Sequence, residues 1–318
     1  MSTLKLPERR LRLAFFGTPD IASTMLERLL DAAEDHVALV VCQPDRPKGR
    51  GKKLVAPPVK ALAEARGIEV VQPRKLRDGV LASQLLEQSI DLAIVVAYGR
   101  ILPVDVFEAP TFATWNVHAS LLPRHRGASP IQHAILSGDE ETGVTLMQLS
   151  EGMDEGPMLL KRSIVIGERT GGELFDALAS LGAETLVEGL ALVKRDGLEI
   201  VPQPDEGVTY APMIDKKDGL LDFAGSADAL VRRVRAFDPW PGTFVRDAKG
   251  QPLKITAARA VDATGAPGTV VSLKPLVVAT SDGGVEIVAI QPPGKKSMPA
   301  AAYLNGAGRS LEIGAAFP

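Results

Sequence analysis

Residues 11–17 read Leu11-Arg12-Leu13-Ala14-Phe15-Phe16-Gly17, followed by Thr18-Pro19-Asp20. A short apolar run that stops at a glycine predicts a buried strand entering a turn. Proline near the start of the next segment suits the first turn of a helix, where its fixed φ fits and its missing N–H has no intrahelical partner. Residues 21–30 carry the apolar spacing of that helix. The alternation continues outward, with strands over 37–42, 68–72, 91–98 and 114–118 and helices over 59–66, 78–88 and 129–136. The stretch 91–98, Asp-Leu-Ala-Ile-Val-Val-Ala-Tyr, is apolar on both faces. Strands of that kind separated by helices predict βαβ units and a mainly parallel, Rossmann-like α/β sheet.

Two further strands are expected over 144–149 and 158–166, with a polar loop at 150–156 between them. A long amphipathic helix over 174–194 ends at Gly197. Residues 198–212 then carry three prolines and little periodicity, which reads as a linker. Beyond a helix at 227–237 come short strands at 243–246, 252–260, 269–273, 276–280 and 284–290, punctuated by Gly and Pro. That spacing predicts a small antiparallel β-barrel, OB-like, or a sandwich. The expected organisation is an α/β domain over 1–197, a linker over 198–210 and a smaller β domain over 211–318.

The chain has 318 residues, 45% hydrophobic and 24% charged, as expected of a globular protein with two cores. No apolar run reaches the roughly 18 residues that span a bilayer, and residues 1–12 lack the apolar stretch of a secretory signal. A cytoplasmic location without membrane partners is expected. The single cysteine, Cys42, excludes a disulfide framework and a Cys-based metal site. No pair among His118, His125 and His133 has the helical spacing of a zinc motif, so no metal is expected. A net charge of −3 gives no overall attraction to nucleic acid. Residues 45–53 nevertheless concentrate Arg46, Lys48, Arg50, Lys52 and Lys53 in one stretch.

Several chemistries lack their motifs. There is no G-x-G-x-x-G after the first strand, no Walker A sequence and no G-x-S-x-G elbow, so the sheet does not imply a dinucleotide. Gly17 is read as a turn glycine. The informative stretch is 116–127, Asn-Val-His-Ala-Ser-Leu-Leu-Pro-Arg-His-Arg-Gly. Asn116 and His118 stand at i and i+2 at a strand end, so their side chains project to one face, at the edge where α/β sheets bind ligands. An amide donor beside an imidazole suits a reaction that builds negative charge on a carbonyl oxygen, and the ring can also move a proton. Such a histidine needs a carboxylate nearby. Glu151, Asp154 and Glu155 all lie in the glycine-flanked loop at 150–156, and spacing alone does not choose among them.

These stretches resemble the methionyl-tRNA formyltransferase family, within the folate-dependent formyltransferase superfamily. The resemblance runs through F-G-T-P-D at 16–20, Q-P-D-R-P-K-G-R-G-K-K-L at 43–54 and V-V-A-Y-G-R-I-L-P at 95–103. It continues through 116–132, G-M-D-E-G-P-M-L at 152–159, R-A-F-D-P-W-P at 235–241 and P-G-K-K-S-M at 293–298. The superfamily pairs an Asn-x-His with an Asp at a set distance, and Asp154 falls on that pattern, 38 positions after Asn116. The resemblance thus implies that Asn116 and His118 stabilise the oxyanion of a tetrahedral intermediate. Asp154 would keep a proton on the ring and help take the amine proton.

The resemblance further implies a site for tetrahydrofolate, with Arg100, Ile101 and Leu102 holding the pterin by backbone contacts and Ser120, Leu121, Leu122 and Pro123 lining it. The implied reaction transfers the formyl group of 10-formyltetrahydrofolate to the amino group of methionyl initiator tRNA, without a metal, in a monomer. The basic stretch, with Arg46, Lys48, Arg50, Lys52 and Lys53, resembles the loop that meets the acceptor stem, where its charge would neutralise phosphates. The second domain, with Lys295 and Lys296, is implied to bind tRNA as well. One departure stands out: His125 occupies a position where the family pattern has tryptophan, and it is not read as catalytic. A sugar-nucleotide formyltransferase should lack the basic stretch, and a non-catalytic RNA-binding relative would not need the Asn, His and Asp.

Overall fold

The computed structural model describes residues 2–48, 53–247 and 249–318. In chain order it begins with strands β1 (Ser2–Leu4) and β2 (Arg12–Gly17), helix α1 (Asp20–Ala32) and β3 (His36–Val41). Then come β4 (Arg46–Lys48), β5 (Lys53–Val55), α2 (Pro58–Ala65), β6 (Glu69–Val71), α3 (Val80–Glu87) and β7 (Leu92–Val96). After α4 (Val104–Phe107) follow β8 (Ala113–His118), α5 (Pro130–Ser137), β9 (Glu141–Gln148), β10 (Met158–Val165), α6 (Gly171–Arg195) and β11 (Leu198–Ile200). The remainder holds α7 (Ala227–Ala236), β12 (Thr243–Arg246), β13 (Pro252–Val261), β14 (Val270–Leu273), β15 (Leu276–Ala279), β16 (Gly284–Gln291), β17 (Met298–Pro299) and α8 (Ala300–Leu304). Two compact units result: one takes 1–130, 141–165 and 175–211, the other 131–140, 166–174 and 212–318.

The first unit is built on a seven-stranded sheet in the order β10-β9-β8-β7-β2-β3-β6. Strands β6, β3, β2, β7 and β8 run parallel, while β9 and β10 are antiparallel additions at one edge. The reason for the parallel core is visible in β7, Leu-Ala-Ile-Val-Val, where all five residues are buried, and in β2, where only Arg12 faces solvent. Only a sheet covered on both faces buries both sides of a strand, and each Leu, Ile or Phe so buried contributes roughly 1.5–3 kcal/mol. Phe16 and Tyr98 meet edge to face at 5.7 Å within one of these layers. The chain lays β3 and β6 on one side of β2, then returns to lay β7 and β8 on the other. The carboxyl ends of β2 and β7 therefore flank a topological switch point, where open α/β sheets bind ligands.

Two short pairings were not legible in the sequence. Strands β4 and β5 pair antiparallel within the basic stretch expected as a loop, and β1 pairs with β11. The segment after β11 stays on this unit: Val201 exchanges hydrogen bonds with Met158, and Arg126 with Thr209 and Ala211.

The second unit carries an antiparallel sheet in the order β12-β13-β16-β15-β14, with β17 also on β16. Its core joins Leu230 and Val234 of α7 to Val245, Ile255, Val278, Ile287 and Ile290, and Phe223 meets Phe317 edge to face at 5.9 Å. The expectation of a barrel is met as far as this antiparallel sheet. Among the described residues no pairing joins β12 to β14, so the sheet is open. Among them, too, no helix is long and apolar enough to cross a membrane.

Candidate active site

Strand β8 delivers Asn116 and His118 at its carboxyl end. Asn116 lies between Val95 of β7 and Met147 of β9, and His118 opposite Thr145 of β9. The loop between β9 and β10 brings Asp154 to the same place. Asn116 Nδ2 donates to Asp154 Oδ1 at 3.3 Å, and His118 Nδ1 lies 3.6 Å from Asp154 Oδ2. The backbone N–H of Gly127 donates to Oδ2 at 2.9 Å. The carboxylate thus faces two N–H donors and the ring of His118. Of the three acids in the loop, Glu155 turns instead to Arg126, at 3.5 Å.

The ring of His118 is buried, with 6% of its side chain exposed. Its Nε2 lies 3.0 Å from the carbonyl of His125. A carbonyl can only accept, so Nε2 carries the proton of that bond. Nδ1 is then the position that gains or loses a proton. In the charged ring its N–H points at Asp154; in the neutral ring its lone pair does. Geometry therefore couples proton transfer at His118 to the carboxylate, and the amide of Asn116 stands beside both.

The loop 120–127 is built around this pair. Thr145 Oγ1 donates to the Ser120 carbonyl at 2.7 Å and accepts from Leu122 N at 3.1 Å, and Ser120 Oγ donates to the Arg124 carbonyl at 2.6 Å. Ser120 is fully buried. Leu122 is core, packed with Met147 and Met158, while Leu121 and Pro123 are half-buried. In the other expected segment, Leu102 is core, Ile101 is 85% exposed, and Arg100 donates to the Pro73 carbonyl at 3.0 Å. Ile101 follows β7 and Leu121 follows β8, so an exposed and a half-buried apolar side chain come after neighbouring strand ends.

A second network fills the switch point. Thr18 Oγ1 and Gln43 Nε2 both donate to the Tyr98 carbonyl, at 3.0 and 2.9 Å. Gln72 donates to the Gln43 carbonyl at 2.8 Å, and Lys60 holds both Asp45 oxygens at 3.0 Å. The Gln72 amide, then the Lys60 ammonium, hold the Asp45 carboxyl below the usual range. Arg46 donates to Gln43 Oε1, so the root of the basic stretch is anchored against the turn after β7. Arg46 and Lys53 are exposed, on β4 and β5; Lys48 lies on β4, and Arg50 and Lys52 fall outside the described residues. Cys42, beside this network, is buried and its thiol is pushed up to about 11 by desolvation.

Sequence reasoning missed Gly127, Arg126, Gln203 and Thr209, which hold the site from behind. Gln203 Nε2 donates to the carbonyls of Asp154 and Gly156 at 2.7 and 2.9 Å. Arg126 and Gly127 lie in the stretch 116–127, but nothing local shows what these residues do, because each acts through partners far along the chain. Among the described residues no group of three His, Cys, Asp or Glu is placed to hold a metal ion.

An amide, an imidazole and a carboxylate at one strand end can support group transfer at a carbonyl carbon. Two family descriptions match, Formyl transferase over residues 11–190 and Formyl transferase, C-terminal domain, over residues 213–308. Methionyl-tRNA formyltransferase of Myxococcus xanthus is 47% identical over 300 residues, 93% of this chain and 95% of that protein. The protein of the same name from Stenotrophomonas maltophilia is 48% identical over 313 residues, 96% of this chain and 100% of that one. The chain belongs to the methionyl-tRNA formyltransferase family. Among solved structures, HypX of Aquifex aeolicus in complex with tetrahydrofolic acid gives a TM-score of 0.59 at 19% identity, over 96% of this chain and 48% of that one. This chain thus spans about half the length of HypX. WlaRD, a sugar 3N-formyl transferase, gives 0.63 at 17% identity, over 91% and 100%. At such identities these two likenesses are of fold alone.

Proposed function

We propose that the chain transfers the formyl group of 10-formyltetrahydrofolate to the amino group of methionyl initiator tRNA, for translation initiation, as a cytoplasmic monomer. The observation that carries this reading is the meeting of Asn116, His118 and Asp154 at one strand end, in a chain 47% identical to a protein bearing that activity in its name. The folate supplies an activated formyl carbon. In the transfer its bond to folate nitrogen breaks, its bond to the methionine amine forms, and the amine proton ends on the folate nitrogen.

Asn116 donates an amide hydrogen to the formyl oxygen as charge builds there, and His118 donates from Nδ1. Preorganised donors of this kind are worth roughly 3–4 kcal/mol each to the transition state. Asp154, which accepts from Asn116 and lies 3.6 Å from His118 Nδ1, orients both side chains and takes part in removing the amine proton. The exposed apolar surface of Ile101 and the half-buried Leu121 suit the flat ring of the donor, with Arg100, Leu102, Ser120, Leu122 and Pro123 contributing backbone around it.

In this reading residues 1–197 are the catalytic domain, 198–210 lie along it as the connection, and 211–318 are a tRNA-binding domain of OB-like, partly open form. Arg46, Lys48, Arg50, Lys52 and Lys53 meet phosphates of the acceptor stem. The test is formylation of charged initiator tRNA with 10-formyltetrahydrofolate. The expected products are N-formylmethionyl-tRNA and tetrahydrofolate in equal amounts. Formylation of a nucleotide-linked amino sugar with no product on tRNA would overturn this function.

A further inference from the structure

Two residues that present the site adopt left-handed backbone although neither is glycine: Asp154 at φ 54° and His125 at φ 60°. Such residues persist only where their surroundings hold them. Both are held from the same segment. Gln203 donates to the Asp154 carbonyl at 2.7 Å and the Gly156 carbonyl at 2.9 Å, and its Oε1 accepts from Arg126 Nε at 3.0 Å and the terminal nitrogen at 2.9 Å. The amide thereby spends both donor hydrogens on the loop of Asp154 and its oxygen on one buried guanidinium. Thr209 Oγ1 accepts from His125 N at 2.8 Å, and its carbonyl accepts from Arg126 N at 2.9 Å. The carbonyl of His125 in turn receives His118 Nε2.

We infer that Gln203 and Thr209 are positioning residues for the transfer, acting through Asp154 and His118 respectively. The stretch 201–211, which composition suggests is a linker, then works as a strap behind the site. Gln203 fixes where the carboxylate points, and Thr209 fixes the carbonyl that aligns the ring. This rests on the catalytic reading of Asn116, His118 and Asp154 given above. Each acts through another residue of the site, so each should govern turnover rather than substrate affinity.

The chemistry of glutamine separates its two jobs. Gln203→Glu keeps an oxygen for Arg126 but loses both donors to the Asp154 loop. The expected result is a kcat on the order of 10–100-fold lower, with KM for tRNA and for the folate within about threefold of the parent chain. Thr209→Val should lower kcat, and Thr209→Ser should restore it. The decisive measurement is single-turnover formylation by Gln203→Glu in the parent chain and in an Asp154→Asn background. If Gln203 acts through the carboxylate, it costs little further once that carboxylate is gone.

The same fold-loss in both backgrounds would overturn the inference while leaving the catalytic reading intact. Full activity of Asp154→Asn alone would overturn that reading, and the inference with it. Thermal denaturation covers the case of a damaged fold: a kcat loss in Gln203→Glu that tracks the unfolded fraction, and vanishes on cooling, counts against a positioning role.

Discussion

Gly127 carries two loads at once. Its φ is 125°, and a Cβ there would stand 2.7 Å from the Ala211 carbonyl oxygen, while its N–H donates to Asp154 Oδ2. Gly67, at φ 69°, has open space around the same position. Gly127→Ala should therefore destabilise the chain by about 1–3 kcal/mol and lower kcat, because backbone and carboxylate move together. Gly67→Ala should lower the melting temperature less and leave kcat unchanged. Equal effects of the two on turnover would remove the special role of position 127. Asn116 and His118 were legible as residues on one strand face, since period two is a local property. Asp154 was not, because a loop 38 residues on carries no periodic sign of where it returns. Only the likeness to a family picked it from among Glu151, Asp154 and Glu155. Thr209 lay in a stretch, 208–211, that matched the family only as the end of a linker, and Gln203 had not even that signal.

At the scale of elements, the strands that could be read were those whose burial needs no partner to be known. β2 and β7 are apolar on both faces and announce a covered parallel sheet. β4, β5, β1 and β11 have three residues each, too few for any pattern, and exist because a partner strand is near. Whether a row of antiparallel strands closes into a barrel depends on twist and register, which the spacing of short strands does not contain. The start of β2 is fixed by a charge. Asp91 receives both terminal nitrogens of Arg9, at 2.7 and 2.6 Å, and the N–H of Arg12 at 2.9 Å. The Arg9 hydrogen bonds, against the opposing pull of burial, hold its carboxyl below the usual carboxylate range. A lowered carboxylate adds stability above its unfolded value, near ~3.9, and loses it as pH falls through the still lower folded one. Arg9→Ala should thus melt below the parent chain at about pH 7 and pH 5, with the gap closing only below about pH 4. A gap unchanged at about pH 3 would show that Arg9 acts by packing.

For the molecule as a whole, a net charge of −3 hides a concentrated basic stretch. In the proposed function that stretch meets phosphate, so its contribution is electrostatic and screened by salt. Arg50→Ala or Lys53→Ala should raise KM for tRNA and leave KM for the folate near that of the parent chain. Taking away one phosphate-binding side chain should reduce the log–log slope of tRNA affinity on salt by about 1. A salt slope identical to the parent chain would place these side chains off the RNA. The central claim is that an amide, a ring and a carboxylate meeting at the end of β8 perform the transfer. It is tested most directly by the single-turnover rate of formylation of initiator methionyl-tRNA, both substrates saturating, for Asp154→Asn. That variant keeps the size of the side chain and removes its charge. The predicted result is a rate lower by about 100-fold or more with tRNA affinity retained; a rate equal to that of the parent chain would contradict it.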